Sequence, residues 1–171
     1  DYPRTAFKVN IEGTFNVLEA CVKNNIQRLI YSSSASVYGD AVEIPMSENH
    51  PFNNRNFYGA TKISGEAMCR AYFDRYGLDY VGLRYMNVYG PNQDQNAVYT
   101  GVIPILLNKI DLNETLIING EGSQAYDFIN VSDAARCNIQ AIESNVTDQF
   151  YNVGTGVQTS INELCNLILE L

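Results

Sequence analysis

Arg28-Leu29-Ile30-Tyr31-Ser32-Ser33-Ser34, followed after a polar gap by Tyr58-Gly59-Ala60-Thr61-Lys62, is the stretch from which the fold and chemistry of this chain are read. The apolar run over 28–32 ends in hydroxyl residues and reads as a short buried strand. Residues 58–76 read as a helix. Ligands of open α/β sheets bind beyond the carboxyl ends of the strands, so the serines stand where chemistry is expected. On a helix, positions i and i+4 share a face, which puts Lys62 one turn from Tyr58. A free tyrosine has a pKa of about 10, and a nearby positive charge favours its ionised form. At about 4 Å and an effective dielectric near 20, such a pair interacts by roughly 4 kcal/mol. Moving a tyrosine from about 10 to about 7 takes a similar amount, at about 1.4 kcal/mol per unit. The arrangement suits a tyrosine that takes a proton from a hydroxyl while a serine holds the same oxygen.

Outward from this stretch, residues 4–24 carry a helix-spaced stripe of Phe7, Ile11, Phe15, Leu18 and Val22, ended by Asn24-Asn25. Residues 39–57, rich in Gly, Pro, Asn and Glu, read as a loop. Gly77 closes the helix at 58–76. Asp79–Arg84 reads as a strand and 86–97 as a polar loop. A helix follows over 99–110, with Pro104 in its first turn, where proline is tolerated. Leu116-Ile117-Ile118 reads as a short strand and 120–124 as a turn. A helix over 131–143 is expected to be capped by Ser132 or Asp133, and 150–153 reads as a strand. Ser160 and Glu163 form a capping box for a last helix reaching Leu171. Strands alternating with helices predict βαβ units and a mainly parallel sheet.

With 46% hydrophobic and 11% aromatic residues the chain is not of the disordered class. Its 171 residues fit one domain. A net charge of −8 with only 11 Lys and Arg argues against a nucleic-acid partner. No apolar stretch approaches the roughly 20 residues of a membrane span, and Asp1-Tyr2-Pro3-Arg4 leads into an amphipathic helix without a visible signal peptide. Cys21, Cys69, Cys137 and Cys165 have no Cys-x-x-Cys spacing, and reduced buried thiols in the cytoplasm are expected. His50 has no partners for a zinc set, so no metal is expected. No Gly-x-Gly-x-x-Gly turn follows a strand, so the usual dinucleotide phosphate cradle is absent from this sequence.

Several ordered segments together resemble the NAD-dependent epimerase/dehydratase family of the extended short-chain dehydrogenase/reductases. They are Asn10-x-x-Gly13-Thr14, Ser32–Gly39, Tyr58–Lys62, Leu83–Pro91, Gly120–Gln124 with Asp127-Phe128-Ile129, and Tyr151–Gly154. The resemblance covers essentially the whole chain and implies a central fragment of a longer Rossmann-like protein. It implies that 1–85 form the C-terminal part of the dinucleotide-binding domain, and that 86–171 mix substrate-lobe segments with returning Rossmann elements. The implied cofactor is NAD, with NADP open. The implied substrate is a nucleotide sugar, most simply a UDP-sugar, epimerised at C4 through a 4-keto intermediate.

By the same resemblance Tyr58 is the base, Lys62 its cofactor-binding partner and Ser34 the serine that bonds the sugar hydroxyl. Asn10, Ser32, Tyr85, Met86 and Val88 are implied on the cofactor side. Ser36, Asn87, Gly101, Val102 and Tyr126 are implied on the substrate side. A homodimer through helices 4–24 and 58–76 is also implied. Two departures carry information. Family dehydratases have Asp-Glu after the catalytic Ser/Thr, and here Ala35 and Ser36 stand there, so dehydration is disfavoured. Many members have Arg before Asp-Phe-Ile to meet the substrate diphosphate. Tyr126 supplies no charge there, so either the usual diphosphate clamp is missing or a residue outside this chain replaces it. A reductase or dehydrogenase of the same fold is the first alternative. A self-associating module without activity is the second, and the missing glycine turn predicts that these residues alone do not turn over UDP-sugars.

Overall fold

The computed structural model describes residues 2–94 and 101–170. In chain order, helix α1 spans Pro3–Ala6, a π-helical turn Phe7–Glu12 follows, and α2 spans Gly13–Lys23. Then come strand β1 (Arg28–Ser34), a 3-10 turn (Ala35–Val37), α3 (Phe57–Tyr76), β2 (Asp79–Tyr85) and β3 (Asn87–Tyr89). The second half holds α4 (Val102–Asp111), β4 (Ala125–Tyr126), β5 (Phe128–Asn130), α5 (Val131–Glu143), β6 (Gln149–Val153), β7 (Thr159–Ser160) and α6 (Ile161–Leu169). These elements divide into two compact units, Asp1–Tyr85 with Ala135–Val153, and Met86–Ala134 with Gly154–Leu171.

The first unit is built on a parallel sheet in the order β1-β2-β6. Its central strand β2 is buried from Tyr80 through Arg84, as a strand covered on both faces must be, and it therefore reads as an almost unbroken apolar run. Gly82 is required there, because a Cβ would overlap the Phe150 ring of β6. Leu18, Cys21, Tyr31, Cys69, Tyr72, Leu78, Tyr80 and Phe150 form the core between this sheet and the helices α2 and α3. Full burial of each large apolar side chain contributes roughly 1.5–3 kcal/mol. The Asn56 side chain accepts from the Gly59 N–H at 2.7 Å and starts α3. Gly77, at φ +67°, ends it in the left-handed conformation that glycine adopts without steric cost. Arg28 donates to the carbonyls of Ala141 and Ser144 at the end of α5, where helix carbonyls lack intrahelical partners.

The second unit pairs β3 with β5 in parallel and β4 with β7 antiparallel. Its core is Leu106, Ile161, Leu164, Cys165 and Ile168, with Val102, Ile110, Leu116, Ile118 and Phe128 packed on it. The Ser160–Glu163 capping box opens α6. Hydrogen bonds from Ser160 hold the Glu163 carboxyl below its ordinary value.

The structure corrects several details of the sequence reading. Helix 4–24 is interrupted by its π turn, where the Thr14 hydroxyl donates to the Asn10 carbonyl. The wider turn breaks the stripe: Leu18 is buried, while Phe7 and Phe15 are exposed. Strands β1 and β2 run on to Ser34 and Tyr85. Leu116-Ile117-Ile118 is not a strand. Leu116 and Ile118 pack on the α4–α6 core and Ile117 faces solvent, so their alternation is satisfied by packing without a ladder. The loop assigned to 86–97 contains β3, and the turn region is followed by β4 and β5. None exceeds three residues, too short for a period-two signal. At the start of α5 the Asn130 side chain accepts from the Ser132 N–H at 2.9 Å, the contact expected of Ser132 or Asp133 as cap. Residues 95–100 and 171, which the sequence reading placed in the polar loop and in the ends of two helices, lie outside the described residues.

Candidate active site

The first unit brings Ser34, Tyr58, Lys62 and Asn10 together through one strand end and one helix face. Tyr58, Lys62 and Glu66 are four residues apart on α3 and share that face. The end of β1 meets all three turns. Ser34 lies close enough to the Tyr58 phenol to favour its ionised form. The Lys62 ammonium donates to the Ser32 carbonyl at 2.9 Å. The Ser33 hydroxyl donates to Glu66 Oε1 at 2.5 Å. Strand alternation explains the division of labour. Tyr31 and Ser33 face the helix and are buried, so Ser32 contributes only its carbonyl and exposes its side chain. Ser34 reaches Tyr58 because the strand ends there, and its Oγ also accepts from the Ser36 N–H at 3.2 Å as cap of the 3-10 turn.

Asn10 lies in the π turn and donates to Thr61 Oγ1 at 3.0 Å, while Thr61 donates to the Tyr58 carbonyl at 2.7 Å. The N-terminal helix is thereby tied to the turn that carries Tyr58. π turns are frequent at functional sites.

The charge relation between Tyr58 and Lys62 differs from the sequence expectation. The ammonium sits 5.6 Å above the Tyr58 ring and 5.7 Å above the Tyr31 ring, not against the phenol oxygen. Burial pushes the Tyr58 phenol above its ordinary value, and Ser34 pulls the other way. Burial also lowers the Lys62 ammonium. The large depression expected of two charges about 4 Å apart is absent, because desolvation opposes ionisation of both groups.

Beneath these residues lies a network that sequence reasoning missed. Arg84 on β2 forms a two-pronged bond to Glu66, Nε to Oε1 at 2.9 Å and Nη2 to Oε2 at 2.7 Å, with both side chains 2% exposed. Arg84 Nη1 donates to the Tyr38 hydroxyl and to the Glu48 carbonyl, each at 2.9 Å. The rings of Tyr38, Phe52 and Phe150 stand 5.1–5.2 Å from the guanidinium. Burial works against its charge, and the bonds to Glu66 and Tyr38 more than offset that, so its value is raised. The Tyr38 hydroxyl donates to Asn152 at 2.6 Å, and Asn152 bonds Met46 and Glu48. The loop over 39–57 is therefore clamped to the sheet from below. The signal available in the sequence was Glu66 at the third position of the Tyr58 face, with Arg84 as a lone cation inside a buried strand.

His50 is buried in this loop. Its Nε2 accepts from the Val42 N–H at 2.9 Å and its Nδ1 lies 2.8 Å from the Pro51 carbonyl. Ser36 Oγ is buried without a hydrogen-bond partner among the described residues, the condition in which a ligand or water completes a site. The Tyr85 hydroxyl donates to Asn138 at 2.9 Å, so its polar end is already engaged.

The remaining candidates lie in the second unit. Asn87, Met86, Val88, Gly101, Val102 and Tyr126 line a cavity of about 680 Å³. Gly101 precedes α4 without a side-chain cap, leaving first-turn N–H groups available there. The Asn87 N–H donates to the Asp127 carbonyl at 2.9 Å. The Asp127 carboxylate accepts from the N–H groups of Thr155 and Gly156 at 2.8–2.9 Å and from the Thr155 hydroxyl at 2.7 Å. Lys109, also in the lining, was not singled out from the sequence.

Comparison with known proteins bears on these units directly. The sequence profile described as NAD dependent epimerase/dehydratase family matches residues 1–154. The chain belongs to this family. It is 41% identical over 161 residues to a putative UDP-glucose 4-epimerase of Methanocaldococcus jannaschii, covering 94% of this chain and 52% of the relative. A UDP-N-acetylglucosamine 4-epimerase from Methanobrevibacter ruminantium, solved with UDP-N-acetylmuramic acid, superposes with a TM-score of 0.93 at 39% identity, over 96% of this chain and 53% of that one. The Thermotoga maritima UDP-glucose 4-epimerase, solved with UDP-glucose, gives 0.94 at 34% identity, over 98% and 54%. The chain thus spans about half the length of the family members it matches, and its fold is part of a Rossmann-type domain with flanking helices.

Proposed function

We propose that the protein containing this chain is an NAD-dependent sugar-nucleotide epimerase that inverts C4 of a UDP-sugar through a 4-keto intermediate, with Tyr58 as the base. The observation that carries this is the Ser34–Tyr58–Lys62 set on one strand end and one helix face, in a chain whose similar epimerases were solved with UDP-sugars. Tyr58, 48% exposed, takes the proton of the C4 hydroxyl, and Ser34 holds the same oxygen. Lys62 commits one N–H to Ser32, and an ammonium has three, so it can also meet the hydroxyls of a bound ribose. That donor chemistry fits the nicotinamide end of NAD; the family resemblance assigns Asn10 and Tyr85 of the first unit, and Met86 and Val88 of the second, to the cofactor as well. When bound, NAD would be the hydride acceptor for the C4–H bond and, once reduced, the hydride donor to the ketone. Its phosphates need a cradle beyond the residues described here. Ser36, Asn87, Gly101, Val102 and Tyr126 contact the substrate. Ala35 and Ser36 carry no carboxyl group for elimination of water. Exposed Phe7, Val9 and Phe15 on the N-terminal helix fit a homodimer interface. The four free cysteines fit a reducing compartment such as the cytoplasm.

The test is turnover of UDP-glucose by the full-length protein. The expected result is UDP-galactose formed with no net change in nicotinamide absorbance, and a Tyr58→Phe variant slowed by about 10²–10⁴. Stoichiometric absorbance change would identify a reductase or dehydrogenase instead. Wild-type turnover by Tyr58→Phe would remove Tyr58 from the role of base.

A further inference from the structure

The cavity of the second unit is nearly free of charge. Among the described residues that line its 680 Å³, Lys109 alone carries a charged side chain. Val102, Leu106 and Lys109 follow one another along one face of α4, so the lysine closes the stripe that walls the cavity. Tyr126 stands 43% exposed in the same lining, its ring 6.0 Å from Phe128. It can offer a single hydrogen bond and no charge. A nucleoside diphosphate that enters loses hydration around its negative charges, and besides the first-turn N–H groups of α4 only Lys109 in the lining offers a positive charge to replace it. Charge-assisted donors are what phosphate oxygens require.

Lys109 is available for that task. Its Nζ lies 3.0 Å from Glu114 Oε2, with the two side chains 28% and 53% exposed. An ion pair this exposed is weak, and the four-carbon stem lets the ammonium turn from one anion to another. We propose that Lys109 is the diphosphate anchor of this protein, leaving Glu114 when a nucleoside diphosphate binds and supplying the charge that Tyr126 does not. Glu114 then acts as a tether that holds the ammonium at the cavity rim. The assignment rests on the nucleotide-sugar site proposed above.

Calorimetric titration of the full-length protein with UDP and, separately, with uridine tests it. Lys109→Met is expected to weaken UDP about tenfold and to leave uridine unchanged. Lys109→Arg should keep most of the UDP affinity, and Glu114→Gln, which frees the ammonium, should bind UDP more tightly. Unfolding curves of the variants should match wild type, since the pair is at the surface. The proposal is overturned if Lys109→Met binds UDP like wild type, if UDP and uridine weaken equally, or if Glu114→Gln weakens UDP. A wild-type protein that binds neither ligand would overturn the nucleotide site itself.

Discussion

Replacing Glu66 by Gln removes the charge from a pair whose side chains are both 2% exposed, while keeping nearly the same shape. The guanidinium of Arg84 then loses its only ionic partner among the described contacts. It retains the Tyr38 hydroxyl, the Glu48 carbonyl and three aromatic faces. Breaking a buried pair from one side costs about 3–5 kcal/mol, because the remaining charge is left in a medium that solvates it poorly. Both prongs of the fork are charge-assisted bonds of 2.7–2.9 Å, so a loss near the upper end is expected. Replacing both partners, as in Glu66→Leu with Arg84→Met, removes the stranded charge with the bond. The double variant should therefore lose less than the sum of the singles, by at least about 1 kcal/mol of coupling. Urea unfolding of the full-length protein, followed by far-ultraviolet circular dichroism, measures Glu66→Gln, the two singles of the pair and the double variant. A loss below about 1 kcal/mol for Glu66→Gln, as exposed ion pairs show, or strict additivity in the double variant, would refute the reasoning.

Two further outcomes follow from the same structure. Burial raises the phenols of Tyr31, Tyr38, Tyr58, Tyr72 and Tyr80, with Tyr72 at about 12 and also bonded to Glu19. A raised value means that the folded state holds its proton more tightly. The associated stability is complete below the ordinary tyrosine value near 10 and is lost as pH rises toward the folded values. Ultraviolet titration should show fewer of the 12 tyrosines ionising near pH 10 in the folded than in the urea-unfolded protein. Equal counts would contradict it. Asn56→Ala removes the 2.7 Å cap bond to Gly59 and should cost about 1 kcal/mol in the same urea assay. No change in unfolding midpoint would mean that water replaces the cap without penalty.

The parts legible in the sequence are those in which a local signal and the tertiary outcome agree. The run ending in Ser32–Ser34 is a strand, the 58–76 segment is a helix closed by Gly77, and Ser160 with Glu163 caps the last helix. Family membership was legible because motifs recur in order, although each one alone is short. What the sequence hid depends on three-dimensional pairing. Strands β3 and β5 are three residues long and owe their existence to each other. The Glu66–Arg84 fork joins a helix to a strand 18 residues later, and no periodicity marks such a pair. The estimate of the Tyr58–Lys62 interaction treated two charges in a uniform medium. The folded chain instead turns the lysine toward the Ser32 carbonyl and strips part of the water from both groups, so desolvation outweighs attraction.

Along one face of α3, exposure changes in a single direction. Glu66 is sealed beneath the sheet, Lys62 is half-buried, and Tyr58 is 48% exposed at the helix start. Three consecutive serines of β1 hold these three turns, each by a different atom. A reacting group must be reachable by substrate yet confined to a small range of positions. The gradient suits both needs: the ion pair that fixes helix to strand is placed where water cannot weaken it, eight residues from the half-exposed phenol proposed as the base. Stability and reactivity are thereby assigned to different turns of one helix. Changes at Glu66 or Arg84 should act first on unfolding, and changes at Tyr58 first on rate. Ser33, which joins the buried turn to the strand end, is the position where the two effects should appear together.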